Sequence, residues 1–295
     1  MSRQTDLALT GLAPLIWGSS YIVTTELLPD GFPLTVAMLR ALLAGLILLA
    51  LVRHLPGRDW IGRLLVLGAL NFSIFWAALF AAAYLLPGGV AATLGAVQPL
   101  IVLGLAHLLL GSQIPGMAVW SAITGMLGVA LLILGPGAQL DPFGVIAALI
   151  GAASMAAGVV LTRKWQPPVP PVTFAAWQLT AGGLLLLPLA LWLEPGFPRP
   201  DLNAAIGIGW LSVIGAAATY YLWFRGIAKL GPAAITGLGF LSPLSAVLLG
   251  WLVLGQAMSA LQMLGAGIVL VSVWAGQRAQ RVLALRAASP AAAAR

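Results

Sequence analysis

Residues 88–110 read GGVAATLGAVQPLIVLGLAHLLL, an apolar stretch long enough to cross a lipid bilayer as one helix. Pro99 lies near its middle, where a proline removes one backbone hydrogen bond and crowds the carbonyl group four residues earlier. That earlier residue is Gly95, which has no side chain to add to the crowding. The stretch therefore predicts a kinked membrane helix with an open backbone carbonyl near its centre.

The same pattern returns 144 residues later, where residues 232–254 read PAAITGLGFLSPLSAVLLGWLVL. Nine positions are identical between windows 86–111 and 230–255, and leucines account for several of them. The glycines and prolines are more informative, because Gly95, Pro99 and Gly111 match Gly239, Pro243 and Gly255. Interrupted helices at corresponding positions of two halves mark the binding region of many transporters. We therefore predict a gating or hinge role for Gly95, Pro99, Gly239 and Pro243.

The composition is that of an integral membrane protein. Of the 295 residues, 61% are hydrophobic and only 7% are charged, against about a quarter charged in soluble domains. The apolar runs do not alternate with period two, which excludes the strands of a membrane β-barrel. We therefore predict an all-α integral membrane protein with ten transmembrane helices, at approximately 7–25, 33–53, 63–85, 88–110, 116–135, 142–162, 172–193, 203–226, 232–254 and 258–277.

The basic residues orient these ten spans. With the N-terminus inside, twelve of the fourteen Lys and Arg residues fall in cytoplasmic segments and only Arg199 falls on the opposite side. Basic residues concentrate in cytoplasmic loops, so the net charge of +7 is explained without a nucleic-acid partner. The expected localisation is the cell (inner) membrane, multi-pass, with both termini cytoplasmic.

A second internal match gives the organisation of the chain. PLTVAMLRALLAGLIL from Pro33 aligns with PVTFAAWQLTAGGLLL from Pro171, and Gly45 aligns with Gly183. Each half then has five spans, and an odd number of spans turns the second copy upside down relative to the first. We predict two inverted five-helix repeats, 1–138 and 139–277, followed by a basic, disordered cytoplasmic tail over 278–295.

Neutral polar and aromatic residues near the centres of the spans form the candidate substrate site. Amides are costly in lipid, so we expect them to face the interior of the bundle. Core packing explains each of these residues singly as well as substrate contact does. As a group they suit a neutral, zwitterionic or aromatic solute. The predicted substrate-binding residues are Trp17, Asn71, Trp76, Gln98, Trp177, Tyr220, Phe240 and Ser242.

Two ionisable side chains are candidates for a charge or proton role. Arg40 is the one charged residue well inside a span, which makes it a functional candidate. It could pair with a substrate carboxylate, reach outward to Glu26 or Asp30, or bind helix carbonyls. His107 lies near the inner end of the fourth span and could take up protons, although a structural hydrogen bond explains it better.

Absent motifs narrow the function. No Asp or Glu lies in the middle of a span, which argues against a carboxylate proton relay and against an exporter of cations. There is no P-loop, no Ser-His-Asp arrangement and no HExxH motif, so we predict no enzyme activity. With no cysteine and two histidines, we expect neither a metal nor another cofactor. The alternatives to an exporter are an uncoupled facilitator or channel, a multidrug exporter, and a membrane enzyme or lipid scramblase.

The sequence resembles the EamA-type branch of the drug/metabolite transporter superfamily over about residues 7–277. The resemblance rests on the LGxxxPL elements at 94–100 and 238–244, on WGSSY at 17–21 and on the neighbourhood of Arg40. It implies metabolite export by alternating access, and the chain looks most like the aromatic amino-acid exporter branch. The expected partners are a small-molecule substrate and the lipid bilayer, in a monomer or homodimer.

The resemblance also implies a central cavity formed by spans three, four, eight and nine. It maps onto Asn71, Trp76, Gln98, Tyr220, Phe240 and Ser242 in this sequence. One departure is visible at the ends of spans four and nine, where Ser112 and Gln256 stand in place of a frequent acidic residue. The loss of that interfacial charge implies weaker charge-coupled gating.

Overall fold

The computed structural model describes residues 2–86, 93–133 and 141–287 of the chain, and within these ranges it contains helices and no strands. Ten helices are long and apolar enough to cross a membrane, which confirms the predicted fold class. They are α1 (Arg3–Leu27), α2 (Pro33–Val52), α3 (58–85), α4 (Thr93–Leu110), α5 (Gly116–Ile133), α6 (Pro142–Lys164), α7 (Pro171–Leu193), α8 (Leu202–Leu230), α9 (Pro232–Leu254) and α10 (Ala260–Ala287).

The helix ends differ from the prediction at both ends of the chain. Helix α1 begins at Arg3, capped by the Ser2 side chain, which accepts a hydrogen bond from the backbone of Thr5. Helix α10 continues to Ala287, so the predicted disordered tail is wrong for residues 278–287. Ala279 is buried in this extension and packs in one apolar cluster with helices α4 and α5. The remaining tail, 288–295, and the predicted span residues 88–92 and 134–135 lie outside the described residues.

Helices α4 and α9 are interrupted just before their repeat prolines, as the sequence predicts. In α4 a turn at Ala96 and Val97 separates the first helical turn from the segment Gln98–Leu110. In α9 a 3-10 segment, Thr236–Phe240, separates Pro232–Ile235 from Leu241–Leu254. A tighter winding is the usual way for a helix to absorb backbone groups that a proline leaves unpaired.

The same two helices also end alike. Gly111 and Gly255 follow α4 and α9 with φ values of 65° and 66°, a left-handed conformation that glycine adopts without steric cost. In each case the next residue donates a backbone hydrogen bond of 3.2 Å to the carbonyl six positions back, Ser112 to Ala106 and Gln256 to Gly250. The matched glycines of the sequence are therefore matched helix caps.

Helices α3 and α8 each contain a π-helical segment. It spans Ala69–Ser73 in α3 and Trp210–Ala218 in α8. Adding the repeat spacing of 144 to residue 71 gives residue 215, so the two segments lie at corresponding positions of the two halves. Such segments widen a helix locally and occur preferentially at functional sites.

The helix contacts are preserved when each of the first five helices is exchanged with its counterpart among the last five, α1 with α6, α2 with α7, and so on to α5 with α10. Helix α2 packs against α7 and α5 against α10. The pair α1 and α8 corresponds to α3 and α6, and the pair α1 and α9 corresponds to α4 and α6. At the centre, a Cβ atom on Gly45 would lie 2.4 Å from the backbone nitrogen of Thr180, and one on Gly183 would lie 2.7 Å from the Cα atom of Leu42. Since 45 and 42 become 183 and 180 on adding 138, these contacts are reciprocal.

Candidate functional site

Aromatic rings from α1, α3 and α8 meet in the main core of the bundle. The ring centroid of Trp17 lies 5.2 Å from that of Tyr220 and 5.1 Å from that of Trp223. Phe72 contacts Tyr220 at 4.8 Å and Trp76 at 5.5 Å, both edge to face. We call these five residues the aromatic cluster. In this conformation the rings themselves fill the space between the three helices, so a ligand here would have to separate them.

Hydrogen bonding fixes the ring of Trp17 in this cluster. Its Nε1–H donates to the hydroxyl oxygen of Thr219 at 2.9 Å. The Thr219 hydroxyl in turn donates to the carbonyl oxygen of Gly215 at 2.8 Å, within the π-helical segment of α8. The wide turn of α8 thus orients the aromatic side chain of α1.

Arg40 lies beside the aromatic cluster and uses the same carbonyl group. Its Nη2 donates to Gly215 O at 2.6 Å, and its guanidinium carbon lies 5.4 Å from the ring centroid of Trp76. The nitrogen Nε is buried and has no hydrogen-bond partner among the described residues. Arg40 therefore binds a helix carbonyl, one of the three sequence-based alternatives, and does not reach Glu26 or Asp30 in an ion pair within the described structure.

Asn71 lies in the π-helical segment of α3 and is fully buried. Its Nδ2 donates to the side-chain oxygen of Gln178 at 2.8 Å and to the hydroxyl of Thr162 at 3.1 Å. Gly158 makes room for the amide, because a Cβ there would lie 2.2 Å from Asn71 Oδ1. These three polar groups from α3, α6 and α7 form a buried network, as expected for amides that avoid lipid.

Serine side chains complete the polar contacts of the α3 segment. Ser154 of α6 donates to Leu70 O at 2.9 Å, and Ser73 donates to Gly182 O of α7 at 3.1 Å. Both serines thus link the π-helical segment of α3 to a neighbouring helix through hydrogen bonds inside the protein. Irregular backbone at membrane depth is tolerated where it is buried in protein in this way.

The predicted residues at the two helix breaks are not part of the aromatic cluster. Phe240 packs against α5 and α10, so closely that a Cβ on Gly125 would lie 2.2 Å from its ring. The carbonyl of Ser242 faces Gly18 of α1. Pro99 is buried and Gln98 is half-buried at the start of the second part of α4. Gly95, Gly239 and Pro243 are likewise half-buried at the breaks.

Trp177 and His107 also lie elsewhere. The Nε1–H of Trp177 donates to the carbonyl oxygen of His54 at 2.7 Å, and the two rings stack at 5.7 Å. This contact places Trp177 at the loop between α2 and α3 and not with the other deep aromatic residues. His107 is exposed, with Nδ1 lying 2.9 Å from Ser112 O just beyond the end of α4. Both residues make contacts that a structural role explains.

Several residues of the site were not predicted. Phe72 and Trp223 join the aromatic cluster, but in an apolar run a single ring gives no sign of the direction it faces. Asp6 and Arg225 form a buried ion pair of 2.5 Å between α1 and α8. Asp6 directly precedes the first predicted span and Arg225 lies one residue before the end of the eighth, so an acid and a base at the inner ends of two spans were a signal that could have been used. No three His, Asp or Glu side chains in the described ranges are grouped as metal ligands.

These features define a polytopic membrane protein with two similarly packed halves, and with a half-buried cation, Arg40, and an aromatic cluster between its helices. The chain belongs to the EamA-like transporter family, whose model matches residues 7–134 and again 142–275. It is therefore a membrane transporter by family, and the family resemblance predicted from its motifs is confirmed.

Individual relatives agree with this assignment. Protein PecM of Dickeya dadantii is 45% identical over 255 residues, which cover 86% of each chain. The uncharacterized inner membrane transporter YedA of Escherichia coli K12 is 28% identical over 264 residues, covering 88% of this chain and 86% of YedA. A solved structure titled only as the crystal structure of a protein superposes with a TM-score of 0.78 at 19% identity. The superposition covers 93% of this chain and 99% of that chain, which shows a shared fold.

Proposed function

We propose that this transporter exports amino acids, aromatic ones among them, and similar small metabolites across the inner membrane. It works by alternating access between two inverted halves, with both termini in the cytoplasm. The exchange symmetry of the helix packing supports the relation between the halves, and the distribution of basic residues supports the orientation. The substrate binds beside the aromatic cluster.

The single observation that carries this proposal is the environment of Arg40. Its guanidinium group is held in the bundle by a neutral carbonyl and an aromatic face, and no carboxylate of the described residues forms an ion pair with it. A cation inside a membrane protein is costly unless it is compensated, so such a residue marks a ligand pathway by default. The carboxylate of an amino acid would supply a bidentate, charge-assisted partner.

The aromatic cluster would select the rest of the substrate. Trp76 lies directly under the guanidinium group, and Tyr220 and Trp17 extend the aromatic surface inward. Aromatic rings prefer offset or edge-to-face contacts with one another, each worth about 0.5–1.5 kcal/mol. A substrate ring that replaced one contact within the cluster would recover this energy, whereas a purely aliphatic side chain would recover less.

The helix breaks would allow the cluster to open. Gly95 and Pro99 in α4 and Gly239 and Pro243 in α9 are the proposed hinges, since the winding changes beside them. Hinges are a few positions that absorb the change in backbone angles during domain movement. Under this proposal Gln98 contacts the substrate only during passage, and Trp177, Phe240 and Ser242 support the helices around the site.

Uptake into proteoliposomes tests the proposal. We expect Arg40→Gln to lower transport of labelled phenylalanine and tyrosine by about tenfold or more, which corresponds to one lost charged hydrogen bond. Arg199→Gln, which removes a charge from an exposed loop, is the matched control and should transport normally. Aromatic amines that lack a carboxylate should show no difference between wild type and Arg40→Gln. Equal amino-acid transport by wild type and Arg40→Gln would refute the role of Arg40.

Two further variants test the aromatic side of the site. We expect Trp76→Ala and Gln98→Ala to lower transport while the purified protein stays folded and monodisperse in detergent. Unchanged uptake by both variants would rule out the proposed position of the site.

An uncoupled facilitator is the second candidate. It is favoured because Asp6, the buried acidic residue of the described structure, is held in an ion pair with Arg225. Transport that persists after pH and voltage gradients are dissipated would indicate the facilitator, and loss of concentrative transport would indicate a coupled exporter. Export of cationic aromatic dyes in place of amino acids would indicate a multidrug exporter.

A further inference from the structure

A second polar region lies in a cavity between α4, α5, α9 and α10, which no residue of the aromatic cluster lines in the described structure. Small residues leave this space open, since Gly237 and Gly276 line it together with four alanines. A Cβ atom on Gly237 would meet no other atom within 4 Å. The hydroxyl groups of Ser121 and Ser272 also line the cavity, and each donates to a carbonyl of its own helix.

Three residues that line the cavity each carry a polar side-chain atom with no partner among the described residues. These atoms are the hydroxyl oxygen of Thr236, Oε1 of Gln277 and Nε2 of Gln280. Thr236 is only 6% exposed, and the other amide atom of Gln277, Nε2, donates to Ala234 O at 2.7 Å. A buried polar atom without a hydrogen-bond partner destabilises the folded protein, so three such atoms around one cavity indicate a bound ligand.

The chemistry of the wall indicates a small, neutral ligand. None of the described residues that line the cavity is charged, and the three unpaired atoms offer a hydroxyl, an acceptor and a donor. A water molecule uses two to four such partners, and the space between the walls suffices for about one or two water molecules. A metabolite of amino-acid size does not fit without movement of the helices.

The position of the cavity gives it a role. Thr236 is the first residue of the 3-10 segment of α9, and Gln277 and Gln280 lie in the last part of α10. Pro99, at the break of α4, lines the same space. Irregular backbone at membrane depth is tolerated where it lines a water-filled cavity, because water replaces the lost backbone partners.

We propose that this cavity is a water-binding site that hydrates the break in α9 from the side of the membrane at which α10 ends. The bound water bridges Thr236 to the two glutamines and lets the 3-10 segment exchange hydrogen bonds when α9 bends. The neighbouring cluster of Val129, Leu132 and Val269 stays dry, since these three side chains are fully buried and apolar. This inference does not depend on the identity of the transported substrate.

The chain has no cysteine, so a single cysteine can be introduced without first replacing native ones. We would place Thr236→Cys, Val269→Cys and Leu55→Cys, one at a time, in the full-length protein in liposomes. Deuterium oxide then labels each thiol by exchange of S–H for S–D, a reaction that infrared spectroscopy follows and that requires only a water molecule at the sulfur, so it measures access of water itself and not of a larger reagent. Leu55 is exposed in a loop and sets the maximum rate, and Val269, in the dry cluster, sets the minimum.

We expect Thr236→Cys to react at least about tenfold faster than Val269→Cys. Equal, slow reaction of these two variants would overturn the proposal, provided that Leu55→Cys reacts. A second measurement keeps the test independent of the substitution at Thr236. In a Ser272→Cys protein, adding Gln277→Leu should slow labelling by about tenfold, because it removes one of the groups that hold the water. Unchanged labelling in a monodisperse double variant would show that the polar wall does not hold water and would overturn the proposal.

Discussion

The close contact between α2 and α7 predicts that replacing a glycine by alanine destabilises the protein at this contact, whereas the same replacement at an open position of another membrane helix stabilises it. Gly45→Ala would place a Cβ atom 2.4 Å from the backbone nitrogen and 2.8 Å from the Cα atom of Thr180. Non-bonded carbon contacts lie at about 3.5–4.0 Å, so α2 and α7 would have to separate by about 1 Å. Backbone atoms cannot rotate away as a flexible side chain can, and the strain falls on the central helix pair.

The magnitude follows from two competing terms. Overpacking of this kind costs about 1–3 kcal/mol. Alanine in place of glycine stabilises a helix interior by about 0.5–1 kcal/mol. The net effect expected for Gly45→Ala is a loss of about 1–2 kcal/mol of unfolding free energy. Gly183→Ala should lose a similar amount, because its Cβ would lie 2.7 Å from the backbone of Leu42 in the corresponding contact.

Gly104 provides the matched control, since it also lies within a membrane helix but a Cβ there would meet nothing within 4 Å. Gly104→Ala should therefore gain about 0.5–1 kcal/mol. The eleven tryptophans allow unfolding to be followed by intrinsic fluorescence in one detergent during heating. Equal shifts of the midpoint for Gly45→Ala and Gly104→Ala would refute the close approach of α2 and α7, and opposite shifts for Gly45→Ala and Gly183→Ala would refute their equivalence.

Three further predictions concern stability and use the same unfolding measurement. Asp6→Asn should lower the unfolding free energy, because it removes the carboxylate that pairs with Arg225. The double variant with Arg225→Met should lose less than the sum of the two single losses, and additive losses would contradict a coupled pair. Gly111→Ala and Gly255→Ala should each cost about 1 kcal/mol because of their positive φ values, while Gly116→Ala, with no such value, should not. Asn71→Ala should cost about 1–3 kcal/mol, because the buried Oε1 of Gln178 would lose its 2.8 Å hydrogen bond and keep only the 3.3 Å one from Thr162. The half-buried Gln98 should tolerate alanine, and an equal loss at both positions would contradict this reading of Asn71.

The number of spans and the positions of irregular backbone could be predicted from the sequence, because each is determined by residues that lie close together in the chain. Membrane thickness fixes the length of an apolar run, which is why ten helices were predicted correctly. Pro99 and Pro243 remove hydrogen bonds at known positions, and the winding changes just before each of them. Gly111 and Gly255 end their helices in the conformation that glycine makes accessible. These features depend on residues near one another in the chain.

The direction in which a side chain faces could not be read in the same way. A helix that is apolar all round gives little sign of which face lies against protein and which lies against lipid. Trp177, Phe240 and Tyr220 all lie deep in their spans, yet Tyr220 alone joins the aromatic cluster. Their positions follow from the glycines of neighbouring helices, as Gly125 shows by admitting the ring of Phe240. Contacts of this kind join residues far apart in the chain.

The two π-helical segments explain why the polar groups nevertheless converge. In an ordinary helix each central carbonyl already accepts a hydrogen bond from the N–H group four residues later, which makes it a poorer partner for a cation such as Arg40 than a carbonyl in irregular backbone. The π-helical winding of α8 presents the carbonyl of Gly215 to Arg40, and that of α3 carries Asn71 into its network with Gln178. The same device at corresponding positions of two halves thus serves a charged group in one half and a neutral amide network in the other. Because the repeat supplies two equivalent irregularities and only one of them holds a cation, the proposed substrate site is asymmetric, with the carboxylate of the substrate expected at the α8 side.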